Sequence, residues 1–147
     1  MSEHRAKIEW KNPGKDFDYK TYSRDHVWMI GPQKMLASAA PEYKGSPDRV
    51  DPEEAYVAAL SSCHMLTFLA VAALKKYVVA HYEDEAVGYL EKSEIGMMCV
   101  TRVVLHPRVR FSGDNVPTSE ILTELHQKAH EQCFIANSVK TRVTVQS

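Results

Sequence analysis

The chain has 147 residues, 44% of them apolar and 25% charged, which suits one soluble domain (residues 1–147) with a core of its own. A formal net charge of −1 gives no basic footprint for nucleic acid. The polar start, Met1-Ser2-Glu3-His4-Arg5, lacks the apolar run of a signal peptide, so a cytoplasmic, reducing setting is expected. Three cysteines in that setting point to catalysis, metal or chance rather than to structural disulfides.

Residues 6–11 and about 17–30 read as short strands, with Tyr19, Tyr22, Val27, Trp28 and Ile30 as β-type side chains, ended by Gly31-Pro32. Pro32, Pro41, Gly45 and Pro47 make residues 31–50 a long surface loop. Asp51-Pro52-Glu53-Glu54 is a helix start: Asp51 as N-cap, Pro52 in the first helical position, Glu54 closing a capping box. That helix runs to about Lys76. Residues 79–91 and 95–111 read as a long hairpin, alternating at Val100, Arg102 and Val104 and again at Val109 and Phe111. Pro117 opens a second helix reaching about residue 133, with Leu122, Leu125, Ala129 and Cys133 on one face. Residues 141–146 close the chain as an alternating strand, and the class is α+β.

The first helix also bears on assembly. Ala55–Leu74 carries no formal charge and is long enough to cross a bilayer. Ser61, Ser62, His64 and Thr67 sit at its centre, where lipid penalises polar groups most, so a buried core helix is expected and no membrane. Its length of about 36 Å matches the diameter of a whole monomer of this size. One chain has little left to cover such a rod, and a homodimer sandwiching two of them would do so.

The residues that can carry chemistry are thiols. Cys63 lies in the apolar helix, in Ser61-Ser62-Cys63-His64, and Cys133 near the end of the second helix. Each alone is most simply a small core side chain, and Cys99 in the hairpin is a filler. Together they also fit a redox pair. A thiolate oxidised by peroxide becomes a sulfenic acid, and a second thiol condenses with it to a disulfide. Two helices packed face to face can bring the Cα atoms within the required distance of about 7 Å. His64 points about 100° away from Cys63 and reads as a buried, hydrogen-bonded histidine. No close His/Cys pairs of zinc-ligand type occur, and metal is not expected.

Asp51-Pro52-Glu53-Glu54-Ala55, then Ser61-Ser62-Cys63, with Cys133 late and before a C-terminal strand, resembles the OsmC/Ohr family of thiol-dependent organic hydroperoxide peroxidases. The resemblance runs from about residue 20 to the end. It implies an OsmC-like two-layer fold, a long buried central helix packed against antiparallel sheets, in an intertwined dimer. It implies Cys63 as peroxidatic thiol, Cys133 as resolving thiol, and no metal or organic cofactor. The family also uses a glutamate and an arginine. Glu53 matches the glutamate; a helical offset of about 15 Å from Cys63 makes it a clamp for the arginine rather than a partner of the thiol. Read plainly, it is a first-turn acid favoured by the helix dipole. Arg24, in Tyr22-Ser23-Arg24-Asp25-His26, resembles the arginine of the hydroperoxide-resistance branch, on an early strand, and is preferred to Arg49 in the loop before the helix. His26 is a further candidate to line the site.

The expected activity is therefore reduction of alkyl or lipid hydroperoxides, with an external dithiol, lipoyl-type in the family, as reductant. Two other readings stay open. One is a hot-dog-type acyl thioesterase with Glu53 or Glu54 as base; the other is a non-catalytic dimer binding a small apolar ligand.

Overall fold

A computed structural model describes residues 1–14 and 16–147, in two units, Met1–Ala55 and Tyr56–Ser147. In the first unit, strands β1 (Ala6–Glu9), β2 (His26–Ile30) and β3 (Gln33–Ala37) form an antiparallel sheet in the order β1-β2-β3. Ile30 pairs with Gln33, so Gly31-Pro32 is a two-residue hairpin loop. Gly31 takes φ +57°, which glycine adopts without steric cost, and Pro32 spends its missing N–H in the turn. The long loop expected over residues 31–50 thus contains a strand, because the proline read as a breaker sits where no ladder bond is needed. The strand expected from residue 17 is also corrected. It begins only at His26, since Asp18 folds the preceding segment into a turn, its carbonyl accepting from the amides of Thr21 and Tyr22.

Helix α1 (Pro52–Leu74) starts as expected. Asp51 Oδ1 accepts from the Glu54 amide at 2.8 Å, and Glu54 Oε1 accepts from the Asp51 amide at 3.3 Å, a closed capping box. Its first turn belongs to the first unit and the remainder to the second.

The second unit continues with β4 (Val78–Asp84), β5 (Val87–Lys92), β6 (Met98–Leu105), β7 (Pro107–Ser112), α2 (Ser119–Gln132) and β8 (Arg142–Val145). The long hairpin is present, broken in each arm: β4 pairs with β7, β5 with β6, and β8 joins β6 in parallel. Helix α2 begins two residues after Pro117, capped by Thr118, which accepts from the Ile121 amide at 3.3 Å.

Two apolar clusters hold this unit. Phe68, Val71 and Ala72 of α1 pack with Leu125 and Ala129 of α2, with Tyr82, Val109 and Phe111 against them. Leu60 packs with Val103 and Leu105, with Val57, Val100 and Val143 around them. The expected alternation at Val100, Arg102 and Val104 is overturned here. The pairing skips Thr101, between Tyr89–Arg102 and Leu90–Val100, and this bulge moves Val100 onto the face of Val103 and Leu105. Gly88 admits Val57 to this face: a Cβ there would lie 2.4 Å from Val57 Cγ2. The fold is α+β, as expected.

Candidate functional site

In the second unit α1 and α2 bring the two thiols together. Cys63 is partly buried and Cys133 is 1% exposed, both unbridged. The Cys133 thiol is in contact with that of Cys63, and its pKa is pushed up, first by burial and then by that contact. The amides of Ala136 and Ile135 pull the other way, the Ala136 N–H donating to Sγ at 3.4 Å. Cys133 itself lies just past α2, with extended backbone at φ −70°, ψ 114°. Cys99, by contrast, is exposed and paired across the ladder with Glu91.

Next to Cys63 in sequence stands one member of a pair that sequence reading half anticipated. His64 is buried and hydrogen-bonded, as expected, and its partner is His126 of α2. His64 Nε2 and His126 Nδ1 share one proton across 3.0 Å, and the rings stack 6° from parallel. Burial, chiefly, carries both pKa values down to about 4; for His64 the neighbouring His126 and His130 add to the shift. Their outer nitrogens, His64 Nδ1 and His126 Nε2, have no hydrogen-bond partner. The spacing of His126 from Leu122 and Ala129 on the apolar face was the available signal.

The first unit holds the other candidates around a cavity of about 450 Å³. Arg24 lines it, from the loop just before β2 rather than from a strand. Its guanidinium lies over the Tyr22 ring, 3.6 Å from the centroid, and donates to the carbonyls of Tyr22 and Tyr19. Glu53 lines the same cavity, so the structure brings these two residues to one place. His26 lines it as well. Its Nδ1–H donates to the Arg24 carbonyl at 2.7 Å and its Nε2 accepts from Trp28 Nε1–H at 2.9 Å, so both nitrogens are occupied.

Arg49 is engaged elsewhere. Its Nε lies 3.4 Å from Asp25 Oδ2, and Nη1 donates to the His26 carbonyl at 3.2 Å. Asp25 also accepts from the Ser46 hydroxyl at 2.6 Å, which, ahead of Arg49, holds its carboxyl below the usual range. Four aromatic lining residues were missed: Trp10, Phe17, Tyr22 and Tyr43. The crowding of aromatics between Trp10 and Tyr22 was the signal, and it had been spent on a strand.

A long helix bearing one thiol, a second thiol at the end of another helix, and separate small sheets make up an α+β protein. The OsmC-like protein profile matches residues 45–147, and the chain belongs to that family. An OsmC-like protein of unknown function from Vibrio cholerae is 50% identical over 99% of both chains, with a TM-score of 0.95. An organic hydroperoxide resistance protein from Elizabethkingia anophelis is 18% identical, covering 100% of this chain and 97% of that one, at a TM-score of 0.74. An organic hydroperoxide resistance protein OsmC from Legionella pneumophila is 19% identical, over 100% and 98%, at 0.72. These last two share the fold. Curated proteins give no match.

Proposed function

We propose that the protein is a thiol peroxidase that reduces organic hydroperoxides to alcohols. The nearness of the Cys63 thiol to that of Cys133, enough for each to act on the other, carries this reading. The Cys63 thiolate attacks the distal oxygen of the hydroperoxide; an S–O bond forms, the O–O bond breaks, and the alkoxide leaves as alcohol after taking a proton. The Cys133 sulfur then attacks the Cys63 sulfenic acid. An S–S bond forms, and the hydroxide departs as water with the Cys133 proton. An external dithiol, lipoyl-type by family resemblance, returns both thiols by exchange.

Cys133 suits resolution better than first attack, because burial holds it protonated until its partner is oxidised. The family resemblance gives Arg24 the role of the cation that stabilises the thiolate and Glu53 that of its clamp. The names of the two hydroperoxide-resistance relatives agree with this chemistry. Glu54 is committed to the capping box, which removes one of the two candidate bases of the thioesterase reading.

Peptide mapping after one equivalent of an alkyl hydroperoxide tests the reading. The expected product is a Cys63–Cys133 disulfide, with Cys99 still free. Oxidation confined to Cys99, or none, would sink it.

A further inference from the structure

The two sulfurs of the thiol pair sit in different surroundings, and the difference bears on how a disulfide between them is opened. Thiol–disulfide exchange depends on which sulfur an incoming thiolate can reach and on how well the other departs. Reach favours Cys63, which is partly exposed, over Cys133, which is 1% exposed.

Departure is the harder requirement, because a thiolate left inside the protein without a partner bears the full desolvation penalty. Cys63 lies within α1, where backbone amides are spent on the helix. Cys133 has amides to spare. The Ala136 N–H donates to its Sγ at 3.4 Å, and the Ile135 amide also favours its ionised form. The turn holds these donors in place. The Asn137 amide donates to the Cys133 carbonyl at 3.0 Å, and Asn137 Nδ2 donates to the Glu131 carbonyl at 2.9 Å. The Ser138 hydroxyl donates to the Phe134 carbonyl at 2.7 Å. A donor fixed before the charge appears needs no rearrangement at the moment of reaction. In the reduced protein, burial and the neighbouring Cys63 thiol outweigh the amides and keep Cys133 protonated. With Cys63 joined to an incoming sulfur, that thiol is gone and burial alone opposes them.

We propose that a reducing thiol opens the disulfide at Cys63, and that the Ala136 N–H receives Cys133 Sγ as it departs. The inference rests on the thiol-pair chemistry of the peroxidase reading. The incoming thiolate bonds to Cys63 Sγ, the Cys63–Cys133 bond breaks, and its electron pair leaves on Cys133, which takes up a proton. The second thiolate of a dithiol reductant then attacks the reductant's own sulfur in the mixed disulfide. The reductant's disulfide closes and Cys63 is released. Once Cys63 is reprotonated, two electrons and two protons have passed from the dithiol to the protein.

Trapping tests where the disulfide opens. In a Cys99→Ser chain the disulfide is made with diamide, which oxidises thiol pairs without a peroxide. One equivalent of mercaptoethanol is added, the reaction is quenched in acid, and the unfolded chain is alkylated and peptide-mapped. Mercaptoethanol is expected on Cys63, with Cys133 alkylated, in about tenfold excess over the reverse product. Equal amounts, or an excess on Cys133, would overturn the proposal.

Ala136→Pro, which removes the N–H, tests the amide. It should slow opening of the disulfide about three- to tenfold more than it slows alkylation of Cys63 in the reduced protein. Ala136→Gly, which keeps the N–H, should show no such split. Equal slowing in Ala136→Pro, or the same split in Ala136→Gly, would remove the amide from the reaction. Should Ala136→Pro fail to fold, a Cys63→Ser chain decides. Its Ala136 amide nitrogen resonance should move at the pH where the Cys133 thiolate absorbance appears, and a resonance that stays put overturns the amide's role. If diamide forms the disulfide and an alkyl hydroperoxide does not, the peroxidase reading falls, while trapping still decides the site of attack. If neither oxidant forms it, both fall.

Discussion

Two arginines were candidates for one role, and their surroundings separate them. Arg49 is spent on Asp25 and the His26 carbonyl, whereas Arg24 lies on Tyr22 at the edge of a cavity shared with Glu53. Arg24→Ala should therefore slow peroxide oxidation of Cys63 by about 100-fold, with circular dichroism unchanged. Arg49→Ala should keep the rate and lose about 1 kcal/mol of stability, read from urea denaturation. The reverse pattern would transfer the role to Arg49. Local chemistry of this kind was only partly legible in the sequence: the residue types were readable, but the pairing of Arg49 with Asp25, which Ser46 also reaches, was not. The histidine pair makes a second prediction. Unfolded histidines titrate near 6.5, while His64 and His126 in the fold stay neutral down to about 4. Between those values the unfolded chain binds more protons than the folded one. Stability is thus complete above about pH 6.5 and falls as the pH drops toward 4, by up to about 3 kcal/mol per histidine. Urea midpoints at pH 7 and pH 5 should differ accordingly, and a His64→Leu/His126→Leu variant should flatten the difference.

Elements whose signals are local could be read directly, and those whose signals are relational could not. The capping box at Asp51 needs only residues three apart, so its sequence pattern and its geometry coincide. Asp51→Ala should cost about 1 kcal/mol and lower Tm by several degrees in a thermal melt. Strand β3 escaped notice because whether Pro32 breaks a strand or makes a turn depends on the register of Ile30 with Gln33. The core face of β6 was misassigned for a similar reason. A single skipped residue at Thr101 reverses the parity of everything before it, and no composition marks the bulge.

For the whole molecule, α1 remains the dominant fact. Its most apolar window has a mean hydropathy of 1.9, yet only 28% of that window is buried within one chain. Ala59, Ser62, Leu66, Ala70 and Ala73 recur at helical spacing and are all exposed, Leu66 by 60%. A stripe of small residues around one leucine permits close approach of a second helix, and we expect a homodimer built on it. Light scattering should give twice the chain mass of 16.6 kDa, and Leu66→Glu should weaken the assembly. A folded wild-type monomer at micromolar concentration would contradict this. The all-round apolarity of the helix was plain in the sequence. The boundary between units at Ala55 was not, because it falls inside the first turn of α1, where composition does not change.

Cys133 sits where α2 has already ended, so its sulfur is joined to the turn that follows rather than to the helix. The Ala136 amide donates to its Sγ and the Asn137 amide to its carbonyl, so Cys133 is one of the residues that hold the turn Ala136–Ser138. Phe134, the next residue along, is 82% exposed. We expect a disulfide at this sulfur to loosen the Ala136–Ser138 turn beside exposed Phe134, which faster hydrogen exchange at the Ala136 amide in the oxidised protein would report.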